Sequence, residues 1–291
     1  MLQDKLGAAN AAAMDLAAAC TGFIYGLETA RAFIEAGIYR NILVVGTEVL
    51  SKITNWKDRN TCVLFGDGAG AALVTAADTG SSRGIVTSHL AADGSGAGVL
   101  SRPVGGTRTP FVEGRTTPES TLLYMDGRKV YYFAVSVLGK TIETLLEKSG
   151  LSLEEIDFIV PHQANVRIIE ACAKRLSIPM EKFYMNIEEF ANTSAASIPI
   201  ALTVLLFAGR SNLRQALTCD AIGFRLNRFR RLRPRSPHRR RLRGRGRGGD
   251  RGRGGGRNRS GRRPPAAQPV DEPTHRYGCA GNLVAEHRHH H

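Results

Sequence analysis

No run of about twenty apolar residues occurs in this chain, so a bilayer-spanning helix is not expected. No basic stretch followed by an apolar one opens it, so no secretory leader is read there, and a soluble cytoplasmic protein is the expectation. Cysteine is sparse: the five lie at 20, 62, 172, 219 and 279, with no Cys-x-x-Cys pair. That spacing argues against a disulfide scaffold and a thiolate zinc site. Each cysteine reads first as a small buried hydrophobe. Acidic residues are nearly absent from one segment, 225–263, where 18 arginines meet Asp250 alone. Residues 264–291 hold two arginines and three acids, so the body of the chain, 1–224, is near neutral despite a formal net charge of +14. The basic character belongs to one Arg/Gly-rich tract, and nucleic-acid binding is not expected of the body.

What is present through residue 202 is an alternation of strand and helix patterns. "AAAMDL" reads as a short strand ending at Cys20, followed by a helix over "TGFIYGLETARAFIEAG" that Gly37 stops. "NILVVG" and "GAGAALVTA" read as buried strands around the turn "FGDG", and "GIVTSHLAAD" opens another. Residues 93–120, rich in Gly, Ser, Thr and Pro, read as a long loop. Val130, Phe133, Ala134, Val137, Leu138, Ile142, Leu145 and Leu146 share one helical face. Ser152 and Glu155 fit a capping box. "DFIVPHQ" then reads as a strand, "NVRIIEACAKRL" as a helix, "FYMNI" as a short strand and "SAASIPIAL" as the start of a final helix. This order implies an α/β fold with mixed, mainly parallel sheets.

Three residues sit at the mouths of these elements. Cys20 lies where a strand meets a helix, where free N–H groups would lower a thiol pKa. His162 in "VPHQAN" closes a strand, where α/β proteins place ligands, although a hydrogen-bonded core histidine is the favoured reading for it alone. Asn192 in "FANTSAASIP" stands before a helix, where a plain cap is the simplest role.

Together, "AAACTGF", "PHQAN" and "NTSAASIP", supported by "DRNTCVLFGDGAGAALV", resemble the beta-ketoacyl carrier-protein synthase III family over residues 2–202. The resemblance implies a thiolase-like fold of two similar α/β halves, here 1–83 and 84–202, both incomplete, with 203–291 an aberrant, mostly disordered tail. It implies a condensing acyltransferase that initiates fatty acid synthesis, with Cys20, His162 and Asn192 as its catalytic set. Chalcone-type synthases share that set, but "NTSAASIP" is like the bacterial branch. Cys20 would take an acyl group from acyl-CoA. His162 and Asn192 would support decarboxylation of malonyl carrier protein, and the backbone N–H of Cys20 would help bind the oxyanion. No cofactor and no metal is implied. The family forms homodimers.

Other matches are to binding residues. Trp56 and Arg59 fall where the family meets the adenine end of CoA, or form an ordinary surface pair. Met125, Gly127 and Tyr131 match the channel lining, while core packing also explains Tyr131. Asn165 matches a residue that holds the pantetheine arm, or caps the next helix. Arg167, Lys174 and Arg175 would meet an acidic carrier protein.

The chain departs from the family at both ends. It begins roughly ninety residues late, judged by the nucleophile motif, and its pattern breaks after Leu202. A frameshift would account for the break: "GRSNL" can be written GGA AGA TCA AAC CTG, which from the third base reads Lys-Ile-Lys-Pro. A poorly active chain is then expected. The alternatives are a non-catalytic truncated product and an RNA-binding protein with a basic tail. The latter lacks stacking partners, because no aromatic lies between Phe229 and Tyr277.

Overall fold

The computed structural model describes residues 1–207 except Thr79 and Ser82, together with the backbone of three later strands. The Arg/Gly-rich tract, Cys219 and Cys279 lie outside the described residues. After a single turn, α1 (Leu2–Lys5), residues 11–18 run without regular structure. The strand predicted for "AAAMDL" is therefore not formed, and Met14 and Leu16 are exposed. A strand needs a neighbour for its N–H and C=O groups, and no described strand lies beside this segment.

A tight 3-10 turn over Ala19–Thr21 leads into α2 (Gly22–Glu35), which ends, as its sequence predicts, before Gly37 at φ +72°. β1 (Asn41–Glu48) and β2 (Gly68–Thr75) pair antiparallel in continuous register from Asn41↔Thr75 to Glu48↔Gly68. β3 (Gly84–Ser88) follows, and then the loop region, in which β4 (Leu100–Ser101) pairs with β5 (Tyr124–Met125). α3 (Gly127–Ser149) is capped by Asp126, and the predicted capping box of Ser152 and Glu155 is formed. β6 (Phe158–Val160), α4 (Val166–Leu176), α5 (Ile187–Phe190) and α6 (Ser197–Phe207) complete the continuous part. "FYMNI" makes a single bridge, Ile159↔Phe183, rather than a strand, because the chain turns into α5 directly after it.

β7 (Gln215–Thr218), β8 (Ile222–Arg225) and β9 (Leu283–Glu286) lie within the segment expected to be disordered. β7 and β8 join the sheet ordered β3-β8-β7-β6, and β9 extends the sheet β1-β2-β9. α6 runs past Leu202 to Phe207. Among the described pairs only β6 and β7 run parallel as strands. The sheets are mixed, as expected, but their pairing is mostly antiparallel.

Two cores hold these elements. The first joins Phe23, Ile24 and Leu27 of α2, Val44 of β1, Val74 of β2 and Val160 of β6 to Ile198, Ala201, Leu202 and Leu205 of α6. It draws on residues from both sides of position 83. α6 is apolar all round, the pattern of a helix buried on every side, and Pro199 is tolerated because it falls in the first turn. The second core packs Leu138, Ile142 and Leu145 of α3 on Ile168, Ile169 and Cys172 of α4. The predicted α3 face thus holds in the C-terminal half only. Phe133 and Val137 are exposed, while Tyr131, Ala134 and Val135 of the first turns are partly buried against this core. All of this falls within one compact unit.

Candidate active site

The centre of the site is one turn, Ser194–Ala196, leading into Ser197, the first residue of α6. The Oγ of Ser194 lies 3.5 Å from Cys20 Sγ and donates to it, joining residues 174 positions apart. The N–H of Ser194 donates to Asn192 Oδ1 at 3.0 Å. The Oγ of Ser197 lies 2.6 Å from Nδ1 of His162. A segment of four residues therefore touches all three members of the predicted set. The serines of "NTSAASIP", expected only as part of a motif, are the residues that make these contacts.

Backbone geometry brings the pieces together. Gly46 of β1 is required, because a Cβ there would stand 2.5 Å from the carbonyl oxygen of Ala195. The N–H of Asn192 donates to Leu64 O at 2.9 Å and its carbonyl accepts from Gly66 N at 3.0 Å, so the "FGDG" turn anchors it. Ala19 (φ +46°), Ser194 (φ +50°) and Ala191 (φ +57°) occupy the left-handed half of backbone space, a conformation costing about 1–3 kcal/mol each where a side chain is present. Strain of this kind beside Cys20 and Asn192 is what an over-determined functional site shows.

Cys20 is half-buried. Burial pushes its thiol pKa up, the Ser194 hydrogen bond pulls it down, and the nearby Glu48 carboxylate raises it again, for a net rise. This overturns the expectation of a thiol acidified by a helix N-terminus. Cys20 sits in the 3-10 turn before α2, and loss of solvation is the largest influence on its thiol there. Glu48, absent from the sequence reading, also accepts from the N–H of Ala195 at 3.3 Å. Asn192 is buried, and with Oδ1 occupied by a backbone donor its Nδ2 is the end left to donate outward. Gln163 is buried beneath His162: its amide donates to Pro161 O at 2.8 Å and Tyr184 O at 3.2 Å and accepts from Asn186 N at 3.0 Å.

The other residues predicted for binding do not join this cluster through any described contact. Trp56 is 64% exposed, with Nε1 donating to Ser51 O at 3.1 Å, and Arg59 is exposed on the same loop. Met125 lies in β5, Gly127 opens α3, and Tyr131 packs against the second core edge-on to Tyr132. Asn165 caps α4, accepting from Arg167 N at 2.9 Å, which is the simpler of its two expected roles. Arg167, Lys174 and Arg175 are exposed on α4, the last two where cations complement a helix C-terminus. Among the described residues no group of three His, Cys, Asp or Glu could hold a metal ion, and no helix is long and apolar enough to cross a membrane.

The comparisons with known proteins agree with this geometry. The family described as 3-oxoacyl-[acyl-carrier-protein] synthase III matches residues 14–94, and its C-terminal part matches residues 146–226. The second match passes the break in pattern after Leu202 and takes in β7 and β8. The chain is 52% identical over 202 residues to a beta-ketoacyl-[acyl-carrier-protein] synthase III of Caldanaerobacter subterraneus subsp. tengcongensis, covering 69% of this chain and 60% of that protein. It is 45% identical over 223 residues to the synthase III of Desulfitobacterium hafniense strain DCB-2, covering 77% and 67%. The crystal structure of the synthase III of Thermus thermophilus superposes with a TM-score of 0.68 at 40% identity, covering 77% of this chain and 70% of that one. The chain thus spans about three fifths of the length of the first relative it matches. Shared sequence, shared fold and a serine turn that touches Cys20, His162 and Asn192 lead to one assignment: the chain belongs to the beta-ketoacyl-[acyl-carrier-protein] synthase III family.

Proposed function

We propose that this site carries out a decarboxylative Claisen condensation between an acyl-CoA and malonyl carrier protein. The observation that carries the reading is the single turn that holds Cys20, His162 and Asn192 to one another's neighbourhood. In the first step the Cys20 sulfur attacks the thioester carbonyl of acyl-CoA, a C–S bond forms, and CoA leaves as its thiol. The raised Cys20 pKa means that the thiol rests protonated, so its proton must leave as attack begins. In the second step malonyl carrier protein loses carbon dioxide, and the electron pair moves into the thioester carbonyl as an enolate. Asn192 Nδ2 and the His162 imidazole donate to that oxygen, and such donors are typically worth about 3 kcal/mol each. In the third step the carbanion attacks the acyl carbonyl, a C–C bond forms, and the Cys20 thiolate is expelled. The backbone N–H of Cys20 serves the oxyanion of that step.

Arg59 and Trp56 are proposed contacts for CoA. Met125, Gly127 and Tyr131 are proposed for the substrate channel, and Asn165 for the pantetheine arm. Arg167, Lys174 and Arg175 offer positive charge to an acidic carrier protein. Cytoplasmic location, a homodimer and the absence of any cofactor belong to the same proposal.

The test is formation of a 3-oxoacyl carrier protein from acetyl-CoA and malonyl carrier protein by the purified full chain, read by mass spectrometry. Cys20→Ala is expected to abolish product while leaving malonyl decarboxylation measurable, because decarboxylation uses His162 and Asn192. Asn192→Ala should cut decarboxylation by roughly a hundredfold or more. Product at the wild-type level from Cys20→Ala would end the proposal.

A further inference from the structure

We infer that Ser197 sets the tautomer of His162, holding the proton on Nε2. This assigns a positioning role to a residue outside the Cys20–His162–Asn192 set, and its catalytic consequence rests on the function proposed above. The Ser197 hydroxyl is 2.6 Å from Nδ1, a distance at which one partner must donate and the other accept. Ser197 is 2% exposed, so bulk water does not compete for it. Its oxygen is also approached by the backbone N–H of Gln163 at 3.4 Å, a long contact but one that only a donor can make. Those two are the described partners of the oxygen. The oxygen already accepts on one side, and Nδ1 is the one acceptor described within reach of the serine's own proton, so that proton is directed to Nδ1. An Nδ1 that accepts is bare, and a neutral imidazole then carries its hydrogen on Nε2.

Two further features support this direction. Gln163 cannot turn its N–H elsewhere, because its side chain is tied to Pro161, Tyr184 and Asn186. Ser197 also begins an eleven-residue helix whose positive N-terminal end opposes a second proton on the neighbouring ring. The ring is thereby kept neutral with a hydrogen on the nitrogen away from the serine, the form that donates to a developing enolate.

The experiment labels the full chain with 15N-histidine and identifies the His162 signals by their loss in His162→Gln. The wild type is expected to show a protonated Nε2 and a bare Nδ1 at neutral pH. Ser197→Ala should shift both nitrogens toward a tautomer mixture. It should also slow malonyl-thioester decarboxylation by about ten- to hundredfold in kcat with KM little changed, the range seen when a partner orienting a functional histidine is removed. Ser197→Thr, which keeps the hydroxyl, should restore both. A wild-type ring protonated on Nδ1 overturns the inference, and so does a folded Ser197→Ala whose nitrogen shifts match the wild type. If Ser197→Ala does not fold, the wild-type and Ser197→Thr spectra decide between the same two outcomes. The expected spectra with no decarboxylation by wild type would support the tautomer assignment and overturn the condensing reaction instead.

Discussion

Cys20 shows how one residue type can be legible while its chemistry is not. Its place before a helix was readable from "AAACTGF", but the balance of terms on the sulfur depends on Glu48 and Ser194, which are 28 and 174 positions away. Burial wins that balance and raises the pKa. Alkylation of Cys20 by iodoacetamide should therefore rise with pH through a midpoint above the ordinary thiol value of about 8.5. Glu48→Gln should lower the midpoint by removing a neighbouring negative charge, and Ser194→Ala should raise it by removing a donor to the thiolate. A wild-type midpoint near 7 would show the sulfur to be activated after all. Cys172 supplies the internal contrast. It is fully buried in the second core, and burial pushes its thiol up to about 11. Peptide mapping after alkylation of the native protein at pH 8 should find Cys172 unmodified, and modification at the rate of an exposed thiol would contradict the packing described.

At the scale of elements, the longer helices were readable, as were β3 and β6, but two predicted short strands were not formed. Period and caps marked α2, α3, α4 and α6, since each depends on residues within a turn or two. "AAAMDL" and "FYMNI" failed as strands because a strand exists only when a neighbour is present, and no local signal states that. The exposure of Phe133 and Val137 on α3 has the same origin: apolar spacing shows which side would be buried, not how far the cover extends. The link into Asn192 is strained, and this gives a test. Ala191 lies at φ +57°, ψ −166°, a region essentially reserved for glycine. Ala191→Gly should stabilise the protein by about 1 kcal/mol, the relief of strain exceeding the greater chain entropy of glycine. Urea unfolding measures it, and a loss of stability would argue against that backbone conformation. Gly46→Ala should do the reverse, by about 1–3 kcal/mol or more, because the added methyl meets the backbone of Ala195 rather than a side chain that can turn aside. It should also change the Cys20 alkylation rate, since Ala195 follows Ser194 directly.

For the whole molecule, the sequence motifs identified a family, and the folded chain shows how a distant cysteine, a histidine and an asparagine each touch one serine turn. The proposed set of Cys20, His162 and Asn192 was legible as motifs, because each stands at the mouth of a strand or helix in a recognisable local pattern. The serine turn that joins the set was not, because Ser194 and Ser197 look like ordinary helix-start residues until α6 packs into the first core. Loss of that packing should be felt at both levels. Leu205→Ala, at a fully buried position of α6, should cost about 2–5 kcal/mol and reduce Cys20 acylation in proportion to the folded fraction. The most direct measurement of the central claim is the mass of the full chain after incubation with acetyl-CoA, with the modified peptide sequenced. A gain of one acetyl group located on Cys20, absent from Cys20→Ala and retained in Asn192→Ala, is expected. A folded wild-type chain that gains no acetyl group, or carries it on another residue, would contradict the account.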